Sequence, residues 1–238
     1  MTKHWARVMA ACGGIVLGVG FVPGSAASLS LMSQNFTPYR TCTITATPAA
    51  TTAVTDTTAH QGTPTTNFGA LTTLTVSSGN GVNQRVYLRF DLTLCSPAIP
   101  ATAIVRLATL RLYMTAVPAA CRVLDLFPVT AAWVETTLTW NNQPFGTALN
   151  NPPTASRTGT FSVGTPAGCQ NQAAGTYVTG GTVTSDVANF VAGTSTNFGW
   201  MIRDDAEGPP TRTATFSAKE GGTVAQEPQL VITYVTVP

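Results

Sequence analysis

The sequence predicts an all-β fold, a jelly-roll-like antiparallel β-sandwich with one short helix, and three observations carry that prediction. Threonine occurs 41 times between Thr37 and Thr236, and its branched β-carbon stiffens the first side-chain torsion and favours extended backbone. Apolar residues come in bursts of strand length, often alternating with polar ones, which is the period-two pattern of a half-buried strand. Gly, Pro and Asn punctuate these bursts, as expected of many short strands joined by turns. A hydrophobic content of 44% also supplies the material for a core, which a disordered chain lacks.

The clearest strand is RVYLRFDL, residues 85–92, in which Val86, Leu88, Phe90 and Leu92 point one way and Arg85, Tyr87, Arg89 and Asp91 the other. TLRLYM, residues 109–114, repeats the pattern with Leu110, Leu112 and Met114 inward and Thr109, Arg111 and Tyr113 outward. The intervening CSPAIPATA is rich in turn formers, so the two strands are candidates for neighbours. Further strands are expected at 41–47, 71–78, 122–129, 157–163, 176–184, 199–204, 213–218 and 229–235. Only TSDVANFVAG, residues 184–193, reads as a helix, with Thr184 or Ser185 as its cap and Gly193 as its stop. TPTTNFG (63–69) and TSTNFG (194–199) echo each other but are too short for a repeat, and read as two similar turns.

The first residues set the expected compartment. Lys3 and Arg7 precede an apolar stretch from about Val8 to Val22, and Ser25, Ala26 and Ala27 follow. This is the layout of a secretory signal peptide over residues 1–27, because the apolar run is short and glycine-rich for a membrane anchor. Residues 28–40 read as a flexible leader and 41–238 as a single domain. Cleavage after Ala27 removes two basic residues and no acid, leaving ten basic against ten acidic residues. A neutral chain whose single lysine is then Lys219 lacks the basic patch that nucleic acid demands, and it offers no general attraction to anionic membranes. A soluble exported protein is expected, with neither nucleic acid nor membrane insertion, and its oligomeric state is left open.

Cys42, Cys95, Cys121 and Cys169 remain after cleavage, an even number without close C-x-x-C spacing, so two disulfides are expected. Three pairings are possible. Cys95 ends one strand and Cys121 begins another with a strand between them, which favours Cys42–Cys95 with Cys121–Cys169.

The order AVTDTTAHQGTPTTNFGALTTLTV, NQRVYLRFDL, ATLRLYM, AAWVETTLTWNNQP, SDVANFVAG, ATFSAKEGG and PQLVITY resembles the DNRLRE-type domain, also classed as carbohydrate-binding module family 96 and related to disaggregatase-type repeats. The resemblance spans roughly residues 43–235, and its most specific parts are W-x-E-x-x-x-T-W-N-N-x-P and the strand ending in R-F-D-L. Departures from the pattern are the four cysteines, the CQNQAAGTYVTGG insertion and TTAHQGT. The resemblance implies a β-sandwich of secreted and surface proteins, some of which bind polysaccharides, including acidic ones such as alginate.

Several groups of residues could carry function. WVETTLTWNNQP (133–144) could be a stacking loop, but Val134 and Leu138 beside its indoles favour core packing, with the amides forming a corner. The outward Arg85, Tyr87 and Arg89 beside Arg111 and Tyr113 form the expected ligand face. Tyrosine stacks on sugar rings, and arginine grips a carboxylate through paired hydrogen bonds. Asp56 and Glu220 could hold structural Ca²⁺ if the terminal segments meet, with Asp204, Asp205 and Glu207 as a rival cluster. No other cofactor is expected.

Enzyme readings have little support: His60 is the one histidine after cleavage, and Asp125, Glu135 and Asp186 are nominated as acids by no motif. The expected function is therefore a secreted, non-catalytic module binding a polysaccharide or cell-surface glycan. A structural or adhesive surface protein is the alternative.

Overall fold

The structure, a computed structural model, describes residues 38–47 and 50–236. The expected signal peptide and residues 28–37 of the expected leader lie outside them. Among the described residues the chain forms twelve strands: β1 (Arg40–Thr45), β2 (Val54–His60), β3 (Thr73–Ser78), β4 (Gln84–Phe90), β5 (Ile104–Arg111), β6 (Tyr113–Ala116), β7 (Arg122–Pro128), β8 (Gly159–Val163), β9 (Thr176–Tyr177), β10 (Trp200–Asp204), β11 (Arg212–Ser217) and β12 (Gln229–Val235). The single α-helix, α1, is Thr184–Ala192. All strand pairings are antiparallel.

Two layers result. In the first, β4 is central, pairing β2 along its length on one side and β10 on the other, with β7 and β8 beyond β10. In the second, β12 lies between β1 and β5, and β11 lies between β3 and β6 with β9 beyond; β3 also pairs β4 at Ser77 and Gln84, so one nine-stranded sheet curls from the first layer into the second. The segments β5 and β6 continue one another across Leu112. Between the layers sits one core that includes Val86, Leu88, Phe90, Leu126 and Trp200 from the first and Leu74, Leu110, Phe216, Leu230 and Ile232 from the second. The all-β sandwich is thus the observed fold.

Two expectations need correction. Residues 85–92 and 109–114 are not neighbours: β4 belongs to one layer, while β5 and β6 pair with β12 and β11 in the other. The second is β2, which the alternation rule passes over because its polar Asp56, Thr57 and Thr58 are buried. Two smaller differences appear at element ends. Strand β9 keeps only two residues of the expected 176–184. Val183 precedes α1 without a side-chain cap, because the Thr184 hydroxyl instead accepts the Ala108 N–H at 3.0 Å, while Gly193 ends the helix in the left-handed region as expected.

The disulfides are Cys42–Cys95 and Cys121–Cys169, with Cα separations of 5.6 and 5.7 Å, the pairing favoured from the sequence. The two NFG echoes are indeed similar turns. Asn67 Oδ1 accepts the Gly69 N–H and Asn197 Oδ1 accepts the Gly199 N–H, at 3.2 and 3.1 Å. Gly199 is obligatory there, since a β-carbon would stand 2.1 Å from the Leu88 carbonyl oxygen.

Candidate functional site

The outer face of β4 is closed. A second core, containing Ala59, Tyr87, Phe127, Val129, Trp133, Leu138, Trp140 and Met201, forms where the segment after β7 folds back over the first layer. Trp133 donates its indole N–H to the Phe198 carbonyl at 2.8 Å, and Asn67 donates to the carbonyls of Glu135 and Leu138. Asn142 accepts from the Thr139 N–H and donates to the Thr137 carbonyl, forming the expected corner. The tryptophans of WVETTLTWNNQP are therefore packing residues.

This cover corrects the predicted ligand stripe. Arg85 and Tyr87 do not face solvent; both side chains are wholly buried beneath the loop. Arg85 uses every N–H of its guanidinium. Nε and Nη2 donate to the two Glu207 carboxylate oxygens at 2.6 and 2.8 Å, Nη1 to Gln143 Oε1 and the Gly146 carbonyl, and Nη2 also to the Ala148 carbonyl. Tyr87 donates to the same Gln143 oxygen at 3.0 Å, and burial pushes its phenol far above the ordinary value. Neither residue has a polar group left for a ligand. The rival metal cluster dissolves for a related reason: Glu207 is held by Arg85, and Arg122 binds both Asp204 and Asp205. Asp125 and Asp186 are likewise engaged, by Arg157 and by the Trp200 indole.

Among the described residues the outer face of β5 and β6 is partly exposed. Leu110, Leu112 and Met114 fill the core, and the alternate residues Thr109, Arg111 and Tyr113 are only half-buried. Strand pairing sets Gln229 opposite Arg111 and Tyr177 opposite Tyr113. The guanidinium of Arg111 lies 4.5 Å from the Tyr177 ring centre and gives one N–H to Gln229 Oε1 at 3.1 Å. The two tyrosine rings meet edge to face at 5.4 Å, and Tyr177 donates its hydroxyl to the Glu227 carbonyl. Stacking thus fixes a planar cation on the sheet face, with one of its five N–H groups hydrogen-bonded among the described residues. Arg89 lies apart, on the first layer. It reaches Thr55 at 3.4 Å, lies 5.8 Å from the Trp133 ring, and borders a small cleft with Thr52, Asp91 and Asn197.

Asp56 and Glu220 do meet, joined by Glu135. One carboxylate oxygen from each lies within 4.8 Å of the others. They converge because the turn after β11 delivers Lys219 and Glu220 to β2: the Lys219 backbone N–H donates to Asp56 Oδ2 at 2.9 Å. The Asp56 N–H donates to Glu135 Oε1 at 3.2 Å, and the Lys219 ammonium binds both Glu135 and Glu220. Burial, reinforced by Glu220 and Glu135, raises the Asp56 carboxyl well above its ordinary value despite the Lys219 N–H. Burial pulls Lys219 down, but its bonds to Glu135 and Glu220 leave it above the ordinary lysine value.

Taken together, the strands form an antiparallel β-sandwich that carries arginine and tyrosine on an outer face of β5 and β6. The model of carbohydrate-binding module family 96 matches residues 47–234. The chain belongs to that family and is a carbohydrate-binding module. Among curated proteins none matches the chain significantly.

Proposed function

We propose that this chain is an exported, non-catalytic module that binds an acidic polysaccharide through the open face of β5, β6, β9 and β12. The observation carrying this reading is the Arg111 guanidinium, stacked on Tyr177 and hydrogen-bonded, among the described residues, only to Gln229. A planar guanidinium with free donors matches a uronate carboxylate through two parallel hydrogen bonds, and the neighbouring Tyr113 offers a surface for a sugar ring. A sheet face suits an extended chain making several weak contacts. Two disulfides fit an oxidising compartment, and no helix of the described residues is long and apolar enough to cross a membrane.

Affinity electrophoresis of the oxidised full chain through gels containing alginate, polygalacturonate or a neutral glucan tests this reading. Retardation by the polyuronates that weakens with added salt is expected. Retardation by the neutral glucan alone would redirect the specificity, and none by any polymer would favour the structural or adhesive alternative.

A further inference from the structure

We propose that Asp56, Glu135 and Glu220 bind a divalent cation, Ca²⁺ by their chemistry, which clamps β2, the tryptophan-bearing loop and the turn after β11 together. The three residues stand 79 to 164 positions apart in sequence. Their carboxylate oxygens fit one ion: ligands at about 2.3–2.6 Å from a shared Ca²⁺ stand at most about 5 Å apart, and these lie within 4.8 Å of one another. All donors are hard oxygens, the set that calcium prefers.

A second observation points into the cluster. Asp56 is 1% exposed, and its Oδ1 is buried with no hydrogen-bond donor among the described residues; Glu220 Oε2 is buried and unpartnered as well. Buried carboxylate oxygens are ordinarily satisfied, because leaving them bare forfeits their hydration without replacement. The one ammonium present, that of Lys219, already rests on Glu135 and Glu220, so negative charge remains in excess. Glu227 adds to the excess. It is buried, and its Oε2 is unpartnered among the described residues. Glu220, Lys219 and Glu227 line a cleft of about 290 Å³, an entry path for an ion and for the waters that complete its coordination.

The competing account is that Lys219 is the cluster's only cation and that Asp56 is neutralised by a proton. The test separates the two. The full chain is stripped with a calcium chelator, dialysed against CaCl₂ or MgCl₂, and examined for bound metal and thermal midpoint. One retained Ca²⁺ per chain is expected, with the midpoint raised by about 5 °C under saturating calcium, since a ligand bound only by the folded state stabilises it. Glu220→Gln, at a half-buried position in the turn after β11, is expected to stay folded and to lose calcium affinity at least tenfold, and Asp56→Asn to lose it more completely. No retained calcium and superimposable melts of the wild-type chain overturn the proposal. Undiminished calcium binding by folded Glu220→Gln overturns it too. Bound metal and melting are read without polysaccharide, so this outcome stands apart from that of the glycan reading.

Discussion

Two strands with the same Arg/Tyr alternation meet opposite fates in this molecule. On β4, Arg85 and Tyr87 lie beneath the loop carrying Trp133 and Trp140, and every Arg85 donor is satisfied by protein. On β5 and β6, Arg111 and Tyr113 keep partial exposure, and among the described residues no such loop covers them. The difference is set by a distant segment rather than by the strands, because Gln143 supplies the acceptor shared by Arg85 and Tyr87, and Glu207 supplies the carboxylate. Outward orientation on a strand therefore makes a residue available only where nothing folds back over it.

The largest effect expected of this contrast is on stability. Arg85→Ala leaves the Glu207 carboxylate buried and unpaired, at a cost of about 3–5 kcal/mol, measured as a shift of the urea midpoint. Lysine is not expected to rescue it, since an ammonium cannot reproduce the paired fork. Next, breaking Cys42–Cys95, which ties β1 of the open layer to the segment after β4, is expected to cost about 2–4 kcal/mol by denaturant titration of the double serine variant. Arg111→Ala and Tyr177→Ala should reverse the pattern. Each is expected to weaken polyuronate binding about tenfold, or about 1.4 kcal/mol, while lowering stability by about 1 kcal/mol or less.

The smallest effect is a pH dependence at the end of β2. Partial burial lowers the His60 pKa, so below the ordinary value of 6.5 the unfolded chain takes up the proton first. The stability that His60 contributes is present above pH 6.5 and is lost as the pH falls toward its folded pKa. A small drop in urea midpoint between pH 7 and pH 5.5, absent in His60→Gln, is the expected result.

Much of the fold was legible because most strands alternate against the core. Val86, Leu88 and Phe90 gave β4, and Leu110, Leu112 and Met114 gave β5 and β6. Strand β2 escaped because its buried side chains are polar, and their burial depends on partners far away in sequence. The tryptophan loop was readable as packing from Leu138, although its other apolar cue, Val134, is exposed; the residues it covers were not readable, because a cover leaves no mark on the strand beneath. Asp56 and Glu220 were legible as a pair. Glu135 was visible in the W-x-E motif, yet only the fold shows that it completes the cluster. Tyr177 lay in the expected strand 176–184, yet nothing in the sequence set it opposite Tyr113, and only the strand pairing draws attention to it.

The central claim is that glycan binds the open face, and the direct test is calorimetric titration of a polyuronate into the wild-type chain and into folded Arg111→Ala/Tyr113→Ala. Loss of measurable binding in the double variant, with its thermal midpoint nearly unchanged, is the predicted result. Binding retained at wild-type strength would contradict the account and move the search to the cleft beside Arg89.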